Sequence, residues 1–389
     1  MVSKLYNCST SNSNSSKSCK VISKLLLHED LMIYLFTFVP LNCLIKSAKY
    51  VCKSWATTIR SSHFADAIER QGRSKPGLYV ENIMSKSSSY FLEFKDDVNG
   101  QFERTELGTP PRMGLVIGTC DGILLLWMNR YRQTFVLNPI LKCWLKLKIP
   151  PFPKSVEYKV FTCKRTIARV PRTTKFKLFY VYLIEVSGVV WYVWCVISIG
   201  IDKSWKEIAR KESFHNMYNC LRLLYSGGND LYWVTEKEVI VMDVDRELIL
   251  REYPLHLFST VSTYLLTVST YLLMGNRISY IMYKDLSYEI YVLDFGSGKW
   301  FPYHEMGPFD YASACGHELD SRSAVFCLWI NEQIIFRVYL RQNQTGIKSV
   351  YFGYNVKTRQ LTKIEGIDAG NFDIWLHTNS LVSLPSNPA

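Results

Sequence analysis

Apolar residues near the start of the chain recur at helical intervals. Leu27, Leu31, Leu35 and Phe38 make one stripe, and Pro40 closes that helix. Leu44, Ile45, Ala48, Val51 and Cys52 make a second, with Trp55 and Ile59 one and two turns on. The spacing predicts two or three short helices, continued past Phe64 to Glu69. So short a segment cannot bury a full core. Its apolar surface must be covered by the rest of the chain or by another protein.

From Leu78 onward the period is that of strands. Tyr79 to Glu81 and Tyr90 to Phe94 are short runs, and Asn99-Gly100 signals a hairpin because both residues tolerate positive φ. The apolar run from Leu178 to Ile201 carries a single charge, Glu185. Its length would allow a membrane span. Its Val, Ile, Tyr and Trp content, with Glu185 to Gly188 as a central turn, predicts two buried strands joined by a hairpin instead.

A weak repeat follows. Phe135 to Asn138-Pro139 leads to Trp144, Gly200 to Ser204 leads to Trp205, and Val239 to Asp243 leads to Leu248. Tyr291 to Asp294 then leads to Trp300, and Tyr351 to Asn355 to Leu361. Each unit reads as a strand, an Asn or Asp opening a tight turn, and a strand whose Trp or Leu covers the face between blades. Units recur every 45 to 60 residues or so, about the size of one four-stranded propeller blade. Five such units, with Tyr90 to Leu107 a candidate sixth, predict a large all-β, propeller-like domain. A non-repeating β-sandwich is the alternative.

Composition narrows the class. The 389 residues are 48% hydrophobic and 21% charged, which suits a globular protein of one large domain and one small one. The first 20 residues are polar and serine-rich, without the apolar segment of a secretory signal, and read as a disordered tail. The 11 cysteines are scattered without a C-x-x-C, so free thiols in a cytoplasmic or nuclear setting are expected rather than zinc or disulfides.

No catalytic constellation stands out. None of the seven histidines pairs with another at metal spacing, and each reads as a polar surface residue. Gly227-Gly228-Asn229-Asp230 precedes a strand and not a helix, so it is no phosphate cradle. No cofactor, metal or catalytic residue is expected. The net charge of +12 admits an acidic partner, and Lys164 to Lys177 holds six basic residues and no acid. Only Phe176 lies there to stack a base, so a solvated loop between blades is expected and a nucleic-acid site is not.

Two sets of residues carry a family resemblance. Leu27-His28-Glu29-Asp30-Leu31, then Pro40-Leu41, then Val51-Cys52-Lys53-Ser54-Trp55 resembles an F-box, with His28 where proline is usual. Cys120-Asp121-Gly122, then Asn138-Pro139, Trp144 and Pro150-Pro151, resembles the opening of the plant F-box-associated domain, a kelch-like or propeller-like module. Trp205, Trp233 and Trp300 fall at its later structural positions.

The resemblance implies a chain of α+β class. A tail over 1–20, F-box helices over 21–70, a linker over 71–77, a β domain over 78–383 and a short tail over 384–389 are its parts. It implies a non-catalytic substrate receptor of a Skp–cullin–F-box ubiquitin ligase. Leu27, Glu29, Asp30, Leu31, Leu35, Pro40, Leu44, Val51, Cys52 and Trp55 would form the adaptor-docking surface or its support, with Cys52 packed inside. The β domain would hold a protein substrate on loops around 129–133, 164–174, 215–219 and 342–348. An F-box scaffold or inhibitor outside degradation, a propeller enzyme and a polyanion-binding protein are the alternatives.

Overall fold

The computed structural model describes residues 29–39, 41–70, 76–83, 85–94, 102–110, 113–150, 159–213, 222–225, 227–235, 237–255, 270–316, 319, 324–340, 348–367, 372–382 and 384. The chain divides into two units, residues 1–74 with 381–383, and residues 75–380 with 384–389. Leu27, His28, Pro40 and the hairpin signal Asn99-Gly100 lie outside the described residues.

The first unit is helical. Its helices are α1 (Glu29–Thr37), α2 (Leu41–Lys46), α3 (Lys53–Ile59) and α4 (Ser62–Arg70), with a 3₁₀ turn at Ala48–Tyr50. Met32 and Phe36, one turn apart on α1, are buried. The Phe36 ring stands edge-on to Trp55 at 4.9 Å and to Phe64 at 6.0 Å. Leu44, Ile59 and Phe64 complete this small core. Ser61 starts α4 by accepting a hydrogen bond from the Phe64 amide at 3.2 Å.

The second unit is a six-bladed β-propeller of four-stranded antiparallel sheets. Blade 1 takes β1 (Pro76–Asn82), β2 (Tyr90–Phe94) and β3 (Phe102–Glu106). Blade 2 is β4 (Leu115–Cys120), β5 (Ile123–Met128), β6 (Gln133–Asn138) and β7 (Cys143–Leu147). Blade 3 is β8 (Lys159–Arg169), β9 (Phe176–Val186), β10 (Val189–Ser198) and β11 (Lys206–Ser213). Blade 4 is β12 (Arg222–Tyr225), β13 (Asp230–Val234), β14 (Glu238–Asp243) and β15 (Leu248–Pro254). Blade 5 is β16 (Thr270–Met274), β17 (Arg277–Lys284), β18 (Ser287–Asp294) and β19 (Lys299–Met306). A short helix α5 (Tyr311–Cys315) precedes blade 6, which is β20 (Ala324–Ile330), β21 (Gln333–Leu340), β22 (Lys348–Asn355) and β23 (Gln360–Lys363).

The last strand, β24 (Phe372–Thr378), returns to pair with β1 as the innermost strand of blade 1. The innermost strands β24, β4, β8, β12, β16 and β20 then neighbour one another in turn, which closes the ring. Each blade is thus sandwiched between two others, and its strands need apolar residues on both faces. On β9, Phe179, Val181 and Leu183 join a core with blade 4, while Tyr180, Tyr182 and Ile184 point the other way. On β13, Leu231 and Trp233 face blade 3, while Tyr232 and Val234 face blade 5. This is why 178–201 reads like a membrane span. It is β9 and β10, joined at Ser187 (φ 52°) and Gly188 (φ 82°), the two-residue turn that suits twisted strands. Among the described residues no helix is long and apolar enough to cross a membrane.

Candidate interaction surfaces

The propeller has two unlike ends. At one, the innermost strand of each of blades 2 to 6 turns into the second, and the third strand turns into the outermost. The repeat detected in the sequence is this second set of turns in blades 2 to 6, and Tyr90 to Leu107 spans its counterpart in blade 1. Four of the turns share one geometry. Asn138 accepts from the Ile140 and Leu141 amides, Asp243 from Arg246, Asp294 from Ser297, and Asn355 from Lys357 and Thr358. Four residues later the chain turns left-handed, at Lys142, Glu247, Gly298 and Arg359. In blade 3 Asp202 instead accepts from the Ser198 amide, four residues back.

The Trp and Leu anchors divide. Trp233 is fully buried between blades 3 and 4, and Trp300 packs into the core shared by blades 4 and 5. Trp205 reaches across to blade 2, where its indole N–H donates to the Lys148 carbonyl at 2.9 Å. Trp144 and Leu248 do not cover an inter-blade face as expected. They sit on outermost strands, and both are over 40% exposed.

The signature residues have structural work at this same end. Asp121 (φ 42°) and Gly122 (φ 81°) make the tight turn after β4, and a Cβ on Gly122 would lie 2.3 Å from that of Ser380. Asn138, fully buried, also donates to the Ser380 carbonyl at 2.9 Å. Cys120 is buried beside them, and burial pushes its thiol well up. These residues tie blade 2 to the segment that follows β24.

The basic tract is not a loop. Lys164 to Arg169 are the second half of β8, Phe176 and Lys177 open β9, and only the turn between them is irregular. Three of the six cations are consumed between blades. Arg165 lies 3.5 Å over the Trp127 ring, and Arg169, buried, stands 3.6 Å from Asp121. Lys177, also buried, donates to the Val244 and Asp245 carbonyls and pairs with Glu247 at 2.8 Å. Burial alone would raise the Glu247 carboxyl, but hydrogen bonds from Lys177 and Lys206 outweigh it and hold it below the usual carboxylate range.

The opposite end carries the connections between second and third strands and those from one blade to the next. Three of the four expected recognition loops belong here. Asn129–Tyr131 is a short 3₁₀ turn with Arg130, Tyr131 and Arg132 exposed. Residues 215–219 and most of 342–348 lie outside the described residues, between strands β11 and β12 and strands β21 and β22. The fourth, 164–174, does not. It is innermost strand and tight turn at the other end.

Histidine is less uniform than expected. His63 is exposed, His304 shares a 3.0 Å hydrogen bond with the Tyr354 hydroxyl, and His377 is buried between the rings of Tyr79 and Phe91. Burial pushes the His377 imidazole down to about 3, so it stays neutral. Among the described residues no group of three His, Cys, Asp or Glu could hold a metal ion.

The helical unit presents a different surface. Leu31, Leu35 and Phe38 of the predicted stripe are not in its core; they are 37%, 43% and 54% exposed. Tyr34 lies among them, edge-on to Phe38 at 4.9 Å. Tyr50 and Val51 are exposed more fully still, and Trp55 is half-buried. Cys52, expected to be packed, is exposed at the extended residue before α3. Asp30 is exposed and Leu44 is core, while Glu29 opens α1.

A family model, the KIB1-4 beta-propeller, matches residues 91–313. The chain belongs to the KIB1-4 beta-propeller family. The match covers more than half of the chain, all of it within the propeller unit. No curated protein matches the chain. Solved structures of similar shape include an oligogalacturonate lyase from Vibrio parahaemolyticus (9% identity, 74% of this chain and 78% of that one, TM-score 0.38). A WD40 domain of SCAP from fission yeast (10%, 77% and 74%, TM-score 0.32) and a Lactobacillus plantarum protein (7%, 79% and 98%, TM-score 0.37) are others. Likeness of this degree carries no inference about activity.

Proposed function

We propose that this KIB1-4 propeller protein is the substrate receptor of a Skp–cullin–F-box ubiquitin ligase. Its helices dock on a Skp-type adaptor, and its propeller holds the protein to be modified. The observation that carries the reading is the apolar face of α1. A helix this short, in a unit this small, leaves Leu31, Leu35 and Phe38 uncovered beside Tyr34, and exposed apolar patches of that kind mark protein contacts. The F-box resemblance of 27–55 supplies the partner. The chain's contribution is proximity, because holding a substrate lysine beside the conjugating enzyme raises its effective concentration.

Capture of the full chain by a purified Skp-type adaptor tests this. Leu35→Asp/Phe38→Asp should abolish capture, since losing a central apolar contact costs about 2 kcal/mol or more. Both side chains lie on the exposed face, so the circular dichroism spectrum should not change. Equal capture of both proteins, or none of a folded wild type, would refute the docking role.

A further inference from the structure

Edge strands of a sheet are usually blunted with charge. Blade 3 follows that rule, since Lys206, Arg210 and Lys211 of its outermost strand β11 all sit in ion pairs. Blade 5 does not. Its outermost strand β19 presents Phe301, Pro302 and Tyr303 to solvent. Trp300 turns into the core shared with blade 4, so Phe301, next along the strand, turns the other way. Blade 6 covers the inner part of that face, at Leu272, Ile281, Tyr288 and Ile290, and leaves Phe301 half-exposed.

A cavity of about 260 Å³ opens there, beside the turn from β18 to β19. Phe301, Pro302 and Tyr303 line it together with Phe295, Val292 and Arg277. Its walls are held from both sides. Phe295 stacks on Tyr232 of blade 4 at 5.7 Å, and Tyr303 stands edge-on to Trp329 of blade 6 at 5.9 Å. Little ordering is therefore left to oppose binding. The volume falls below the roughly 300–1,000 Å³ of small-molecule sites and suits one side chain. Asp294 lines the cavity too, but its carboxylate accepts from the Ser297 amide at 2.9 Å and hydroxyl at 2.6 Å. Arg277 is exposed and acts on that carboxylate only from a distance, with no hydrogen bond or ion pair among the described residues.

We propose that this cavity is a docking site for a protein segment that carries an aromatic side chain next to a carboxylate. The ring fills the cavity against Phe295, Phe301 and Tyr303, and the carboxylate pairs with Arg277. Paired rings gain energy beyond their buried area, which favours an aromatic anchor over an aliphatic one. The proposal rests on reading the propeller as the part that holds the substrate. Pro302 has no N–H to give and the bulge at Tyr303 breaks the edge, so the segment meets side chains instead of adding a strand. A second copy of the chain is disfavoured by the net charge of +12, which makes the copies repel. RNA needs a basic groove along its backbone, and Arg277 alone among the lining residues is cationic.

The test uses the full chain and three immobilised peptide libraries with randomised polar flanks. Their fixed centres are phenylalanine–glutamate, phenylalanine–glutamine and alanine–glutamate. Retention on the first should exceed each of the others about tenfold, from the charge-assisted contact in one comparison and the buried ring in the other. Arg277→Gln should lose the preference for glutamate over glutamine and keep that for phenylalanine over alanine, a split that misfolding would not give. Phe301→Ser should lose both with its melting temperature unchanged, and Arg277→Gln serves alone if that variant does not fold. Arg130→Gln, on the exposed turn at the opposite end, should keep both.

Equal retention on all three libraries would overturn the proposal, as would preferences that survive the Arg277 and Phe301 variants. Preferences lost in Arg130→Gln instead would overturn it in favour of the opposite end. Displacement of the peptides by single-stranded RNA would overturn it in favour of a base-stacking surface. A wild-type dimer that Phe301→Ser turns into monomer would overturn it in favour of a second copy. Adaptor capture is scored on the same preparation. Absent preferences with capture intact remove this inference alone, and absent capture with the preferences intact removes the docking reading alone.

Discussion

Gly122 and Asn138 show how a motif residue comes by its place. Gly122 combines positive φ with a close approach to Ser380, and Asn138 spends its buried amide on its own turn and on the same Ser380. Gly122→Ala should cost about 3 kcal/mol in urea denaturation, from the left-handed backbone and the overpacked Cβ together. The sequence shows such residues as a pattern of types. It does not show Ser380, 242 positions from Asn138, which gives both of them their role. Cys52 was misread for a related reason. Its place in a motif says that it recurs, not which side of α3 is covered.

At the scale of the element, turn chemistry was the most legible signal, because an Asx side chain bonds amides two and three residues away. The left-handed residue that completes each turn was less visible, since only one of four is glycine. Lys142→Gly should therefore stabilise the protein by about 0.5 kcal/mol, the relief of a left-handed side chain less the freedom glycine adds to the unfolded chain. A rise in the urea midpoint at constant slope would show it. The basic tract was illegible, because Arg165, Arg169 and Lys177 each find a partner in another blade.

One of those contacts sets a pH dependence. Because Glu247 is held below the usual carboxylate range in the folded state, its contribution is full above the ordinary value, near pH 4.5. It is lost as pH falls through the depressed one. Glu247→Gln should cost about 2 kcal/mol at neutral pH, and the gap from wild type should close as the solution is made more acid than about pH 4. A gap that holds to pH 2 or so would mean that the carboxyl carries no proton-linked stability.

For the whole molecule, periodicity and repeat length gave the propeller, and the structure supplied the blade count and its closure by β24. Closure escapes a linear reading, since β24 and β1 are the two ends of the domain and nothing in either strand names the other. The proposed division of labour between the units rests on burial. Strand β13 is covered on both faces by neighbouring blades, while α1 leaves an apolar face open.

Hydrogen–deuterium exchange of the full chain with and without a Skp-type adaptor tests that division most directly. The account predicts new protection within residues 29–59, largest in α1 and at Tyr50–Val51, with strands β4 to β23 unchanged. Protection confined to the propeller, or none in α1 at saturating adaptor, would contradict it.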